Sequence, residues 1–565
     1  MKKLSKCNTR FWVTGAMGLA LAMLPLVSCE SSGSKHAAPR GDVDTSTRTY
    51  TDADALNTEV SVIRNMIDKE SVKAMWRAKL LLSKNASSGA AKTLFADTAK
   101  KVHALYSKSL SAKKYLEAVT YYDALRAVEY PELQSLPQGH DALVSLLKKN
   151  VPGLKPVANT GATVSDYIKG TVTVYVDKGI KVQHGVGYSD GVLGSGFFIS
   201  SDGYIVTNHH VIADCVDPEY DGFARLYIRL SEDPDTKIPA KIIGYDSSID
   251  LALLKTEVSA PYVFNLGSSS DLDVGDKVSA IGSPLGLERT LTSGVISSKD
   301  RELFSSGKVF QIDTAVNSGN SGGPLIDSKG NVQAVVFAGV QNYQGLNFAI
   351  PVEYLKNELP ILYAGGERKH PWVAAYGKTK RRSGSGAENE GLSVEYVMPG
   401  GSALRADLAV GDTVIACDGV PISSIDDLKS EFMKRTFGTI VVLSVLDSAG
   451  EKKDRIVYLD ERPEWPGLTV YEHDALAQAL VPIIGMDLTP ASTQNKKSYI
   501  ISRVIKGSIA DQSGFSENDP VEIIRTELSK EKDAIAVQLY AKKRKNGFLD
   551  VALGFTAALD DQFYF

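Results

Sequence analysis

The sequence predicts a multidomain protein in which an all-α domain precedes a long β-rich region, and three observations carry this. A chain of 565 residues is several times a typical single-domain length, so more than one core is needed. Between residues 51 and 157 apolar side chains recur at helical spacing, as in Val72, Met75, Trp76 and Leu80, and again in Tyr115, Val119, Tyr122 and Leu125. After Pro156 the texture changes to short β-branched and aromatic runs broken by glycine, such as Thr171–Val176 and Gly196–Ile199, the pattern of an all-β barrel or sandwich. With 43% apolar and 23% charged residues and a net charge of -4, the chain has no basic field that would attract nucleic acid.

At the amino end Lys2, Lys3, Lys6 and Arg10 precede an apolar run from Phe11 to Val27, the build of an export signal. Pro25 and the polar stretch after Cys29 leave this run short of the roughly 20 residues a spanning helix needs. The run ends in Leu26-Val27-Ser28-Cys29, which resembles the bacterial lipobox. That resemblance implies a signal peptide over residues 1–28 and lipidation of Cys29, hence a chain anchored by lipid to a membrane on the periplasmic side of a bacterial envelope. Residues 29–50 hold hardly an apolar side chain and read as a flexible tether. Cys215 and Cys417, which lack CxxC partners, read as small buried thiols and not as a disulfide framework.

The helical domain over 51–157 is expected to be a generic packed one. The segment Tyr115–Leu125 has the look of one tetratricopeptide helix, but no second copy follows at the required period. Within the β region, Gly194–Ile212 places His210 just after a predicted strand, where a loop can aim it into a cleft as a general base. In Asp246-Ser-Ser-Ile-Asp250-Leu-Ala-Leu-Leu-Lys255 an acid stands at the mouth of a buried apolar strand, where it must be hydrogen-bonded, and orienting an imidazole would achieve that. Asp250 abuts the apolar run and is the first choice; Asp246 is the alternative. In Asn317-Ser-Gly-Asn-Ser-Gly-Gly-Pro-Leu325 glycines let the backbone fold tightly around Ser321, and the N–H groups of Gly319 and Ser321 can converge on a developing oxyanion.

The Thr207–Val211, Asp250–Ala252, Gly282–Gly286 and Gly319–Pro324 segments, followed by Gly345–Pro351, resemble the protease domain of the HtrA (Deg) family of trypsin-like serine proteases. The order His, Asp, Ser is that of the chymotrypsin fold. The resemblance therefore implies a chymotrypsin-like double β-barrel over residues 160–365 with His210, Asp250 and Ser321 as a catalytic triad. Departures are Ser283, where the family usually has asparagine, and Ser318, where proline is common. The position six before the nucleophile, acidic in enzymes that accept Lys or Arg, is Ala315, with Val316 beside it. An uncharged, narrow pocket and cleavage after small aliphatic residues are expected, and such residues are exposed in misfolded proteins.

Residues 366–462 resemble a PDZ domain, from Gly391–Val397, Pro399–Ala403, Gly411–Ile415 and a helix with Ile425, Leu428 and Phe432 on one face, capped by Ser424. The resemblance implies a groove for peptide C-termini, with the carboxylate loop at Trp372, Val373, Ala374 and Ala375; Ala374 stands where the family has glycine. Val504–Ala510 and Gly514–Asp519 repeat the same punctuation, so residues 480–565 read as a degenerate second PDZ-like domain, after a Pro- and Trp-bearing linker around 461–467. The family implies a homo-trimer or larger assembly. No metal or cofactor site is expected. The function indicated is a serine endopeptidase acting on unfolded or misfolded envelope proteins; the alternative is a non-proteolytic PDZ scaffold or holdase chaperone on the same fold.

Overall fold

The computed structural model describes residues 53–157, 161–282, 290–304, 307–317, 319–339, 346–381, 389–492, 497–543 and 549–565. The signal, the tether and Cys29 lie outside the described residues, as do Ser283 and Ser318. Among the described residues no helix is long and apolar enough to cross a membrane.

Five helices open the described chain: α1 (Ala53–Met66), α2 (Ser71–Lys84), α3 (Gly89–Ser111), α4 (Tyr115–Ala127) and α5 (His140–Asn150). Their apolar stripes meet in a core that holds Met75, Trp76, Leu94 and Tyr106 fully buried. Ser88 caps α3 by accepting the Ala91 N–H, which satisfies one of the orphan donors of that helix end.

A short helix, α6 (Val164–Gly170), leads into β1 (Thr171–Gln183), β2 (Val186–Phe198), β3 (Tyr204–Thr207), helix α7 (His209–Ile212), β4 (Arg225–Arg229), β5 (Ile238–Pro239), β6 (Lys241–Asp246) and β7 (Leu251–Lys255). Six further strands, β8 (Lys277–Gly282), β9 (Thr290–Phe304), β10 (Gly307–Ile312), β11 (Pro324–Ile326), β12 (Val332–Gly339) and β13 (Asn347–Pro351), form a closed barrel in the order β10-β13-β12-β11-β8-β9. Helix α8 (Val352–Ala364) follows, and β14 (Gly366–Glu367) returns to pair with β6. The first half is thereby an eight-stranded sheet, β14-β6-β7-β3-β2-β1-β4-β5, whose ladder is open where the second is closed. Alternation along the strands separates three apolar clusters: one inside each half, and one between them, shared by Phe197, Leu251, Ile281, Ile326 and the inner face of α8. This is the chymotrypsin-like two-part arrangement, here an open curved sheet beside a closed barrel, and the loops that follow β3, β6 and β10 meet between the two halves.

The chain continues through β15 (Pro371–Trp372), β16 (Ala375–Arg381), β17 (Asn389–Val397), α9 (Ser402–Arg405), β18 (Thr413–Cys417), β19 (Val420–Pro421), α10 (Ile425–Met433), β20 (Ile440–Leu446), β21 (Lys452–Tyr458) and β22 (Asp460–Glu461). The sheet β16-β17-β18-β20-β21 with α10 is a PDZ architecture. Its core is continuous with that of α1–α5: Trp76 Nε1 donates to Ile456 O at 2.7 Å, its ring stacks on Tyr458, and Lys73 pairs with Asp460 at 2.8 Å. The helices thus bury their apolar face on the first PDZ domain.

The last unit begins earlier than the sequence suggests. The 461–467 segment is only in part a linker, because Pro466 starts α11 (Pro466–His473), where its missing N–H costs nothing, and α12 (Leu476–Ile484) follows. Both helices join the core of a five-stranded sheet, β23 (Met486–Pro490), β24 (Ser498–Val504), β25 (Pro520–Leu528), β26 (Ala534–Lys543) and β27 (Leu549–Ala558), with α13 (Ile509–Gln512) between β24 and β25. Residues 563–565 leave this sheet and run beside β16 of the first PDZ domain.

Candidate active site

His210 stands on α7, directly after β3 ends. The turn between β6 and β7 brings Asp250 beneath it: Asp250 Oδ1 accepts the His210 N–H at 2.8 Å, and Oδ2 lies 2.7 Å from His210 Nδ1. A carboxylate can only accept, so the proton sits on Nδ1 and Nε2 keeps the lone pair that a general base needs. Asp250 is held in the left-handed region, φ 59°, between fully buried Ile249 and Leu251, and Asn208 Nδ2 donates to its carbonyl at 2.8 Å. The burial of His210 pulls its pKa down, but the charge and hydrogen bond of Asp250 outweigh this and the pKa stands above the usual imidazole value. Its neighbour His209 goes the other way: stacked on Tyr245 with ring centroids 5.2 Å apart, it is held below the usual value by burial.

Ser321 reaches the same cleft from the second barrel. Its carbonyl accepts the Ser195 N–H at 2.7 Å, and Ser195 Oγ donates to Gly319 O at 2.6 Å, so β2 of the first half clamps the loop on both sides of Asn320. The glycines are there for space. A Cβ on Gly322 would lie 2.2 Å from Ser195 O, and one on Gly323 2.2 Å from Ile281 O. Across the cleft, a Cβ on Gly194 would meet Val211 Cγ2 at 2.6 Å and Ser321 O at 3.2 Å, which places the Ser321 backbone next to the helix that carries His210. The Ser321 hydroxyl donates to Phe337 O at 3.2 Å. Gly319 is buried with φ 104°, and the Asn320 N–H donates to Asn317 O at 3.0 Å just ahead of Ser321.

Ala315 is exposed and anchored through its carbonyl to Thr292 Oγ1 at 2.9 Å, while Val316 packs on the core of the second barrel. No charged side chain stands at these two positions. The 283–289 and 340–345 segments lie outside the described residues.

Asp246 is placed elsewhere. It is fully buried, it accepts the N–H groups of Ser248 at 2.9 Å and Ile249 at 3.3 Å, and both its oxygens receive His370 Nε2, at 3.0 and 2.9 Å. Beside it, Arg368 Nε donates to Glu358 Oε2 at 2.9 Å, and its Nη2 reaches the carbonyls of Arg435 and Met433 at the end of α10. Donor atoms of Asp246, Glu358 and His370 come within 4.8 Å of one another, close enough for a metal ion. The Arg368 guanidinium and the His370 N–H already supply the positive partners, so the cluster reads as a protein ion network. Burial pushes Glu358 up to about 7, against the pull of Arg368. Burial also opposes ionisation of Asp246, but His370 and Arg368 hold it below the usual carboxylate value.

Sequence reasoning missed this network, along with Ser195 and Asn208. For Asp246 a signal existed: Asp-Ser-Ser before an apolar strand is an Asx-turn pattern, which occupies the carboxylate with its own backbone. The two cysteines are inert in this setting, burial raising Cys215 to about 11 and Cys417 to about 12. In the Trp372–Ala375 loop all four residues are buried, and Ala374 holds φ 66°, the left-handed conformation that glycine adopts without strain. Gly401 makes room for its methyl, since a Cβ there would sit 2.5 Å from that of Ala374.

A His–Asp pair and a glycine-framed serine between the two halves of this β fold, ahead of PDZ sheets, match the layout of a trypsin-like peptidase domain followed by PDZ domains. Family models agree: residues 194–335 match the trypsin-like peptidase domain, 378–446 the PDZ domain, 467–559 the TP0546 family PDZ domain and 54–147 a domain of unknown function (DUF8517). The chain is 38% identical over 245 residues, 42% of its length and 49% of the relative's, to a probable periplasmic serine endoprotease DegP-like of Pseudomonas fulva. It is 37% identical over 280 residues, 48% of its length and 54% of the relative's, to a protein of that name from Bartonella henselae. The chain spans about half the length of the curated relatives it matches. Among solved structures, an HtrA-type protease AlgW with decapeptide aligns with 54% of this chain and 99% of its own at 24% identity and a TM-score of 0.44. The chain thus carries a trypsin-like peptidase domain followed by PDZ domains, and over about half their length it is similar to periplasmic serine endoproteases of the DegP-like type.

Proposed function

We propose that this protein is a serine endopeptidase of the bacterial periplasm that degrades unfolded or misfolded envelope proteins. The periplasmic setting follows the naming of its relatives, and the lipobox-like Cys29 adds a lipid anchor in the membrane. The single observation that carries the reading is the pair of bonds from Asp250 to the His210 N–H and Nδ1, beside a serine loop clamped by Ser195.

In this reading Ser321 Oγ attacks the scissile carbonyl and gives its proton to His210 Nε2, and Asp250 stabilises the imidazolium that forms. The carbonyl oxygen becomes an oxyanion facing the N–H groups of Gly319 and Ser321. Its collapse breaks the C–N bond, and the leaving amine takes the proton from His210. Water, deprotonated by the same imidazole, then hydrolyses the acyl-enzyme and restores Ser321. The uncharged Ala315 and Val316 favour cleavage after small aliphatic residues, and the first PDZ domain collects peptide C-termini. A homo-trimer or larger assembly is the expected working form.

The test is digestion of an unfolded casein-type substrate by the chain and by its Ser321→Ala variant, with the new termini sequenced. Cleavage confined to the unaltered chain and falling after Val, Ala or Ile supports the proposal. Absence of cleavage by either, with suppression of substrate aggregation by both, would replace it with a holdase or scaffold.

A further inference from the structure

The PDZ fold takes a ligand as an extra antiparallel strand on the sheet edge next to its carboxylate loop, with alternate side chains entering a pocket under the helix. In this chain that edge is β16, the loop is Trp372–Ala375 and the helix is α10. The edge is already paired. Phe565 N donates to Ala375 O at 3.0 Å, Ala375 N donates to Phe565 O at 3.1 Å, and Gly377 N donates to Phe563 O at 3.0 Å, with Tyr376 and Tyr564 directly opposite. This is the ladder of a bound peptide strand, with Phe565 beside the Trp372–Ala375 loop and Phe563 two residues before it.

The side chains follow the same logic. Phe565 is only 2% exposed and belongs to the apolar core formed by Val373, Leu392, Ile425, Leu428 and Phe432. A Cβ on Gly377 would lie 3.0 Å from the Phe565 ring, so glycine at that position leaves the space the ring uses. Tyr564 points the other way, as strand alternation requires, and is buried in the core of the second PDZ-like unit, against Tyr376 at 5.1 Å between ring centroids. Lys378 lies 4.7 Å from the Phe563 ring, and Arg462 pairs with Asp560 at 2.6 Å. Charge, sheet pairing and burial thus act on the same six residues, 560–565.

We propose that residues 560–565 are a built-in ligand of the first PDZ domain, and that a free peptide strand carrying aromatic residues at the positions of Phe563 and Phe565 binds there only by displacing them. The proposal rests on the reading of that groove as the peptide site and goes beyond it by assigning the groove an occluded resting state. A tethered ligand acts at a high effective concentration, on the order of millimolar for short flexible links, so an outside peptide of the same sequence competes at a steep disadvantage. The aromatic pair also sets the partner chemistry: the pocket that receives Phe565 is apolar and deep, and Lys378 favours a ring or a carboxylate beside it.

The test uses a fluorescent peptide with the sequence of Asp561–Phe565 and the full chain, its Phe565→Ala variant and a variant lacking residues 563–565. Circular dichroism and gel filtration monitor the fold, and anisotropy reports binding. Both variants should bind the peptide at least about tenfold more tightly than the unaltered chain. Equal affinity in all three, or no binding by any of them, would overturn the proposal. Should either variant fail to fold, amide exchange on the unaltered chain decides: slow exchange at Ala375 and Gly377 without added peptide is expected, and fast exchange at both rules out the occluded state. Neither readout depends on proteolysis, so a failure here is separable from a failure of the endopeptidase reading.

Discussion

The turn between β6 and β7 carries two carboxylates, and each has an imidazole. Asp250 meets His210 in the cleft, where the imidazole remains 31% exposed and the carboxylate 8%. Asp246 meets His370 in the interior, where the corresponding values are 10% and 0%, with Arg368 and Glu358 packed alongside. The chemistry of the pairs is the same; their surroundings differ. His210 can take up and release a proton because one face of its ring opens to solvent and its partner is a single carboxylate. His370 is held in the interior, donating to both oxygens of Asp246. The buried pair instead supports the open one: Asp246 holds the N–H groups of Ser248 and Ile249, the residues that lead into the left-handed Asp250. Through Arg368 the same network also grips the end of α10 in the first PDZ domain.

The contrast can be broken from either side. The largest effect is expected on the open pair: Asp250→Asn should lower kcat on an unfolded substrate about 10⁴-fold while leaving circular dichroism unchanged, because the wrong tautomer of His210 would be favoured. The mirror change in the buried pair should act on stability. Asp246→Ala strands buried His370 without its carboxylate and is expected to cost about 3–5 kcal/mol in urea unfolding. A variant as stable as the parent would show that the network is dispensable.

Glu358 sharpens the comparison through pH. Its folded pKa, raised to about 7 chiefly by burial, exceeds its unfolded value, so the folded chain binds the proton more readily. Its stabilising contribution is complete below the ordinary glutamate range and is lost as pH rises through about 7. Glu358→Gln should remove that decline, and melting temperatures recorded from pH 4 to 8 should show a flatter profile in the variant. The smallest effect concerns His210, whose pKa lies above the usual value because Asp250 outweighs burial. The base must be neutral, so the acid limb of kcat/KM should fall at a higher pH than an ordinary imidazole gives, and should move down in Asp250→Asn.

How much of this was legible from the sequence depends on the range of the interaction. The glycines around Ser321 are readable as a run, but that Gly322 and Gly323 stand where a Cβ would strike Ser195 O and Ile281 O belongs to the tertiary structure. The helical stripe through Val72, Met75 and Trp76 is readable because one face of a helix must be apolar to be buried. Ala374 was legible as a departure from glycine, but its left-handed φ and the compensating Gly401 were not. Nor was it visible that Asp246 would choose His370, a residue beyond both barrels.

By itself, then, the sequence determined the succession of a helical segment, β-rich barrels and PDZ sheets, and the order of His210, Asp250 and Ser321 along the chain. These follow from periodicity, glycine placement and strand alternation, all properties of neighbouring residues. Only the tertiary structure decided that Trp76 would donate to Ile456 O, that Arg368 would tie α8 to the end of α10, and that Phe565 would enter the first PDZ groove. Those partners are hundreds of residues apart or belong to different folding units. Their pairing depends on which apolar faces and unpaired backbone edges remain once each unit has folded, and no local pattern encodes that remainder.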